Sequence, residues 1–140
     1  MDKENKAENE RKKEYLNGYK YAVMAEKAIE EEIEQLRLSK MSPSFIMDSM
    51  PRGNGYSDLS SYAAKVDCLM EELRDQMNQR IDLRREIAHK IEDMNDETEK
   101  LVLRYRYIHL LTWEDLAVKM DYSWQHIHKI HNKALNNFKL

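Results

Sequence analysis

Both prolines and two of the three glycines of this 140-residue chain fall in one stretch, SKMSPSFIMDSMPRGNGYSD, residues 39–58. Pro and Gly are the residues that break helices, so their confinement leaves long runs on either side free to stay helical. Before the stretch, Tyr15, Tyr19, Ala22, Ile29, Ile33 and Leu36 follow alternating steps of three and four, with Glu26 interrupting the row. That spacing predicts one helix over about 8–38, its almost purely charged first residues frayed. After the stretch, Leu59, Tyr62, Val66, Leu69, Leu73, Met77, Ile81, Ile87 and Ile91 predict a second helix over about 59–94, capped by Ser57 or Asp58. Two such helices joined by one loop are expected to pair as an antiparallel hairpin. Their narrow stripes leave little to bury, so self-association into a homodimer through these N-terminal helices is expected. The loop itself carries Met41, Phe45, Ile46, Met47 and Met50. It is expected to fold back as an apolar lid, with partner docking as the alternative.

Charged residues at 35% and apolar residues at 41%, with so little Gly and Pro, place the chain in the all-α class. The lone Cys68 rules out an internal disulfide and fits a reducing cytoplasm, the expected location. The N-terminus MDKENKAENERKKE has no apolar core for a signal peptide, and no apolar run reaches membrane-spanning length. No Gly-rich phosphate loop or nucleophile in a recognisable setting is present, so neither an enzyme nor a cofactor is expected. Charge is uneven: residues 1–96 hold 16 Lys/Arg against 21 Asp/Glu, a net of −5, and residues 97–140 hold 7 against 5, a net of +2. From Ser123 to Leu140 there are three lysines, three histidines and no acid, the pattern that turns one face toward a polyanion.

The C-terminal third reads as three short capped helices. Asp96 with Glu99 opens one that runs to about His109, Thr112 with Asp115 opens the next, and Ser123 opens the last. Ala117, Asp121 and Ile127 stand four and six residues apart. That is the spacing at which a helix-turn-helix needs a small residue at the crossing, a left-handed turn residue, and a branched apolar residue pointing back. Leu116, Met120 and Ile130 complete the expected buried face. Residues 1–95 are therefore read as the helical hairpin and residues 96–140 as a helix-turn-helix domain. His128 and His131, three apart, have no nearby carboxylate or cysteine to complete a metal shell, so no metal is expected. Groove-facing or surface histidines would instead make DNA affinity rise as pH falls toward about 6.5.

The segment LVLRYRYIHLLTWEDLAVKMDYSWQHIHKIHNKALNNF resembles region four of the sigma-70 class of RNA polymerase sigma factors. The likeness runs through Leu103-Arg104-Tyr105, Leu110-Leu111-Thr112 with the acidic pair behind it, Leu116-Ala117, the turn, Ser123 and Ala134-Leu135. It covers residues 97 to 139, and the whole layout is similar to small phage and prophage proteins related to late-gene transcriptional activators. Asp121 stands where that pattern has Gly, and Trp124 with the histidines replaces an Arg-rich surface. The resemblance implies a three-helix DNA-reading domain, with Trp124, Gln125, His128, Lys129 and Asn132 toward the major groove and Ser123 near a phosphate. Chemistry points the same way. Gln125 and Asn132 suit adenine edges, Lys129 suits guanine acceptors, and Ser123 with the free amides of its helix suits a phosphate. Lys133 and Lys139 are expected to contact the backbone, as is Arg104 or Arg106. Thr112 and Trp113 are expected at the opposite groove wall, and Trp124 either meets the sugar–phosphate edge or closes the core. The expected function is a phage-type transcriptional regulator that binds double-stranded DNA, its hairpin dimerising or contacting RNA polymerase. A small terminase subunit and a protein-interaction module without DNA binding are the alternatives.

Overall fold

The computed structural model describes residues 2–40 and 54–140, and the apolar lid expected within 41–53 lies outside them. The described chain is all-α: α1 (Asp2–Lys40), α2 (Asn54–Glu92), α3 (Glu97–Leu103) running on as a π-helical turn (Arg104–Ile108), α4 (Trp113–Met120) and α5 (Trp124–Asn137). None of these helices is long and apolar enough to cross a membrane. α1 starts at Asp2 instead of near residue 8, so the expected fraying is not what the structure shows. Asp2 and Glu4 sit in its first turn and Arg37 and Lys40 in its last, each sign at the dipole end it favours. α2 starts at Asn54, which places Ser57 and Asp58 inside the helix instead of at its cap.

Compactness divides the chain across both long helices, into Met1–Ala22 with Arg80–Leu140 and, separately, Val23–Gln79. In the second unit Ile33 is the one buried apolar side chain among the described residues. Tyr62, Val66, Leu69, Leu73 and Gln76 are half-buried, and the Lys40 ammonium stands 4.5 Å over the Tyr62 ring. Met77, expected in the α2 stripe, is exposed, as are Leu59 at the start of the helix and Ile81 in the other unit. The reason is geometric. Each step of four residues advances about 40° around a helix, so the run Leu69, Leu73, Met77, Ile81 drifts off the face it began on. The less exposed face is kept by mixing steps of three with steps of four, through Gln76, Arg80 and Leu83, to Ile87 and Ile91. Packing keeps the seam and gives up the more apolar choice.

In the unit that joins Met1–Ala22 to Arg80–Leu140, α1 packs on the end of α2 through Leu16, Tyr19, Ile87 and Ile91. The Tyr15 hydroxyl donates to Glu86 Oε1 at 2.8 Å. A side chain on Gly18 would place its Cβ 3.3 Å from Leu83 Cδ2, so the glycine lets the helices close up there. Partner numbers fall on α2 as they rise on α1, so the two helices run in opposite directions in this unit.

The short helices form as their caps dictate. Asp96 accepts from the Glu99 amide at 3.0 Å, Thr112 Oγ1 from Asp115 at 3.2 Å, and Ser123 Oγ from His126 at 3.1 Å. Glu99 does not return the bond to Asp96; it lies buried and takes both oxygens to the Asn137 amide at 3.1 and 3.0 Å, tying α3 to the end of α5. Asp121 adopts φ 57°, ψ 46°, the left-handed turn expected of it, and the Tyr122 amide closes onto Ala117 O at 3.0 Å. Val102, Leu116, Ile127 and Ile130 then meet as one core, flanked by Tyr105, Trp113, Ala117 and Met120. Leu110 also takes a positive φ, 59°, where the chain leaves the π turn.

The far end of α5 is held by α1. Lys12 is only 5% exposed, and its ammonium donates to Leu135 O at 2.8 Å and Asn136 O at 3.5 Å, carbonyls that the helix leaves without internal partners. Asn9 Nδ2 donates to Asn136 Oδ1 at 2.8 Å, and the Tyr15 ring lies 6.2 Å from that of Phe138, which is buried.

Two outcomes are expected from denaturant unfolding followed by circular dichroism. Lys12→Met keeps the apolar stem but strands the carbonyls, and lowers stability by about 1–3 kcal/mol. Asp121→Gly relieves the left-handed turn and raises stability by up to about 1 kcal/mol, whereas Asp121→Val lowers it by about 1–3 kcal/mol.

Candidate nucleic-acid interface

α5 has two unlike sides. Ile127, Ile130, His131, Ala134 and Leu135 are buried, and Gln125, Lys129, Asn132 and Lys133 are exposed. The exposed four recur at helical spacing, so they form one polar row along the outer face. No acid lies within the helix, and its N-terminus adds the partial positive charge of free amides. Ser123, exposed at that end, uses its oxygen to accept the His126 amide and keeps its own proton free to donate. Amide, ammonium and hydroxyl groups in one row can donate to base edges and phosphates, and the two amides can also accept.

The other site residues expected on the sequence fall elsewhere. Trp124 is 53% exposed and sits at the start of the row, its indole 4.0 Å from the His128 ring. It does not close the core. His128 is half-buried between that indole and Trp113, which lies 4.3 Å away, and its Nε2 is buried without a hydrogen-bond partner among the described residues. Two indoles therefore occupy the ring that was expected in the groove. Trp113 is half-buried as well, with Arg106 4.4 Å over its ring and His131 edge-on at 4.8 Å. Thr112 is exposed, but its hydroxyl oxygen caps α4. Arg106 Nη1 is further committed to Leu111 O at 2.8 Å, and Arg104 to Glu92 at 3.3 Å.

The histidines correct the expectation of a shared surface role. His131 is 3% exposed, and its Nε2 lies 2.7 Å from the Tyr107 hydroxyl. Burial, then the nearby positive charge of Lys13, His128 and Arg106, pushes its pKa down to about 3. Burial pushes the Tyr107 phenol up to about 12, so Tyr107 stays protonated and donates to a neutral imidazole. His131 therefore cannot raise DNA affinity by protonating near 6.5. His126 is exposed beside Tyr122, ring centroids 4.7 Å apart, at the mouth of the turn. Tyr122, 38% exposed next to the row, was missed on the sequence; an aromatic directly after the turn residue was the available signal. Among the described residues no group of three His, Cys, Asp or Glu side chains is placed to hold a metal ion.

Comparison with family models, with curated proteins and with solved structures gives no match to this chain. What the site can do therefore rests on its own geometry.

The His131 arrangement fixes a pH dependence. The unfolded chain takes up this proton near 6.5, and the folded one only near 3. The unfolded state thus binds more protons between those values, so this contribution is complete above about 6.5 and is lost as pH falls toward 3. Denaturant melts between pH 7 and 4 should show stability dropping with acid by up to roughly 1.4 kcal/mol per pH unit from this group. His131→Gln, which can still accept from Tyr107, should flatten that slope.

Proposed function

We propose that the chain is a double-stranded DNA-binding transcriptional regulator of phage type, reading sequence through α5 in the manner of sigma region four. The observation that carries this reading is the outward row Gln125, Lys129, Asn132 and Lys133 on an acid-free helix whose apolar back is buried against α3 and α4. The left-handed Asp121 turn and the Ser123 cap supply the bend and the exposed helix start that such reading requires. Gln125 and Asn132 discriminate bases, Lys129 reads guanine, and Lys133, Ser123 and the exposed indole edge of Trp124 hold the backbone. His128 and Trp113 position that indole and do not read.

One head of this size makes few base contacts, so useful specificity calls for two heads or for tethering to polymerase. The scarcity of buried apolar side chains among the described residues of Val23–Gln79 favours pairing of this chain with itself through its long helices. The same scarcity is what a ring-forming terminase subunit would show, and solution mass separates the two. A dimer supports the regulator, and a large ring supports packaging.

The test of the DNA reading is an electrophoretic shift and anisotropy titration with duplexes flanking the protein's own gene. Gln125→Ala is expected to cost about 1–3 kcal/mol on the preferred site and little on random duplex. Lys133→Ala is expected to weaken both alike and to reduce the salt slope by about one unit. Unmeasurable affinity at low salt, or no change in the double variant Gln125→Ala, Lys129→Ala, would overturn the reading.

A further inference from the structure

Arg84, Arg85 and His89 stand exposed on the last turns of α2 and make no ion pair among the described residues. They line a cleft of about 480 Å³, to which the π turn adds Arg104. Glu92, the one carboxylate of the lining, is already engaged by Arg104 at 3.3 Å and by Lys100 at 3.8 Å. Ile81, 41% exposed, and the half-buried Ala88 supply the apolar part. The whole lining belongs to the one unit that joins Met1–Ala22 to Arg80–Leu140. It is a cationic rim, short of carboxylates, around an uncovered aliphatic side chain.

The cleft does not share a side with the polar row of α5. On α3, Glu99, Val102 and Leu103 are buried, Glu99 against Asn137 and Val102 in the core with Ile127. At about 100° per residue, Arg104 stands about 140°, 160° and 100° around the helix from these three. Arg104 and the Glu92 it holds therefore lie on another side of α3 from α5. A duplex held along Gln125 and Lys129 is not what these arginines face.

We propose that the cleft docks an acidic amphipathic helix of another protein. Residues 81–92 of α2 rise about 16 Å, the length of three helical turns. α2 offers no strand edge, so an extended peptide would leave its own amides unpaired, whereas a helix arrives with them satisfied. An aliphatic residue of the partner covers Ile81. Carboxylates one turn from it meet Arg84 and Arg85, which lie three and four residues from Ile81, and guanidinium groups take carboxylates in two-pronged fashion. Docking there is independent of DNA reading and of self-pairing, and a partner so held would give a single reading head its tether.

Fluorescence anisotropy of a labelled peptide with the full chain tests it, far-ultraviolet circular dichroism confirming that each variant is folded. The probe is a helical peptide of about 16 residues, leucines along one face and glutamates one turn to either side. Saturable binding is expected at about 50 mM salt, weakening toward about 500 mM. Arg84→Glu with Arg85→Glu should raise the Kd by at least about tenfold, as should glutamine in place of the peptide's glutamates. Ile81→Ser should raise it by about fivefold. The mass of the double variant in sedimentation equilibrium, and its affinity for random duplex, should match those of the parent chain. No saturable binding overturns the site, as does equal binding of a peptide with serine for leucine, which would reduce it to unselective charge attraction. A changed mass would make the cleft a contact between copies of this chain, and a lost duplex affinity would make it a phosphate anchor; either overturns the proposal.

Discussion

Ile127 packing against Leu116 and Val102 is the contact on which the outward polar row of α5 depends. A fourteen-residue helix presents polar groups in a usable row only if something fixes its rotation about its own axis. Here the fix is hydrophobic burial, and the left-handed backbone at Asp121 makes it possible by folding α5 back across α4. Once Ile127, Ile130, Ala134 and Leu135 face inward, the 100° advance per residue leaves Gln125, Lys129, Asn132 and Lys133 no direction but outward. The chemistry of the outer face is thus set by the apolar residues of the inner one.

The polar interior supports this arrangement from behind. His131 lies on the buried side of α5, and a neutral imidazole there is tolerable because the Tyr107 hydroxyl answers its nitrogen. The π turn belongs to the same logic. Its extra residue per turn shifts the side chains that follow, and Tyr107 and Ile108 both end up buried while Arg104 remains at the surface to meet Glu92. Trp113 and Trp124 close around His128, so the aromatic wall behind the row is continuous from α4 to the start of α5.

How far these features could be read in advance depended on the distance over which their causes act. The caps at Asp96, Thr112 and Ser123 and the turn at Asp121 were legible because the chemistry is local: a short side chain meets an amide three residues on, or a backbone angle suits one residue type. The apolar back of α5 was legible for the same reason. The seam of α2 was misread at Met77 and Ile81, where hydropathy favoured the apolar residue and continuity of packing favoured Gln76 and Arg80. Lys12 and His131 were illegible in principle. A charged or titratable residue reads as solvent-facing until a partner is known, and the partner of Lys12 lies 123 residues away. The pairing of His128 with two indoles was hidden likewise, since nothing in the spacing says that Trp113 and Trp124 converge on it.

The lysine that closes α5 belongs to the opening helix of the chain. The two ends of the sequence, roughly residues 9–16 and 131–138, are therefore one block of structure. A change in either half alters the surroundings of the other, so substitutions there should accumulate in matched pairs across relatives. An affinity tag or a trimmed start at one end would be felt at the orientation of the helix near the other.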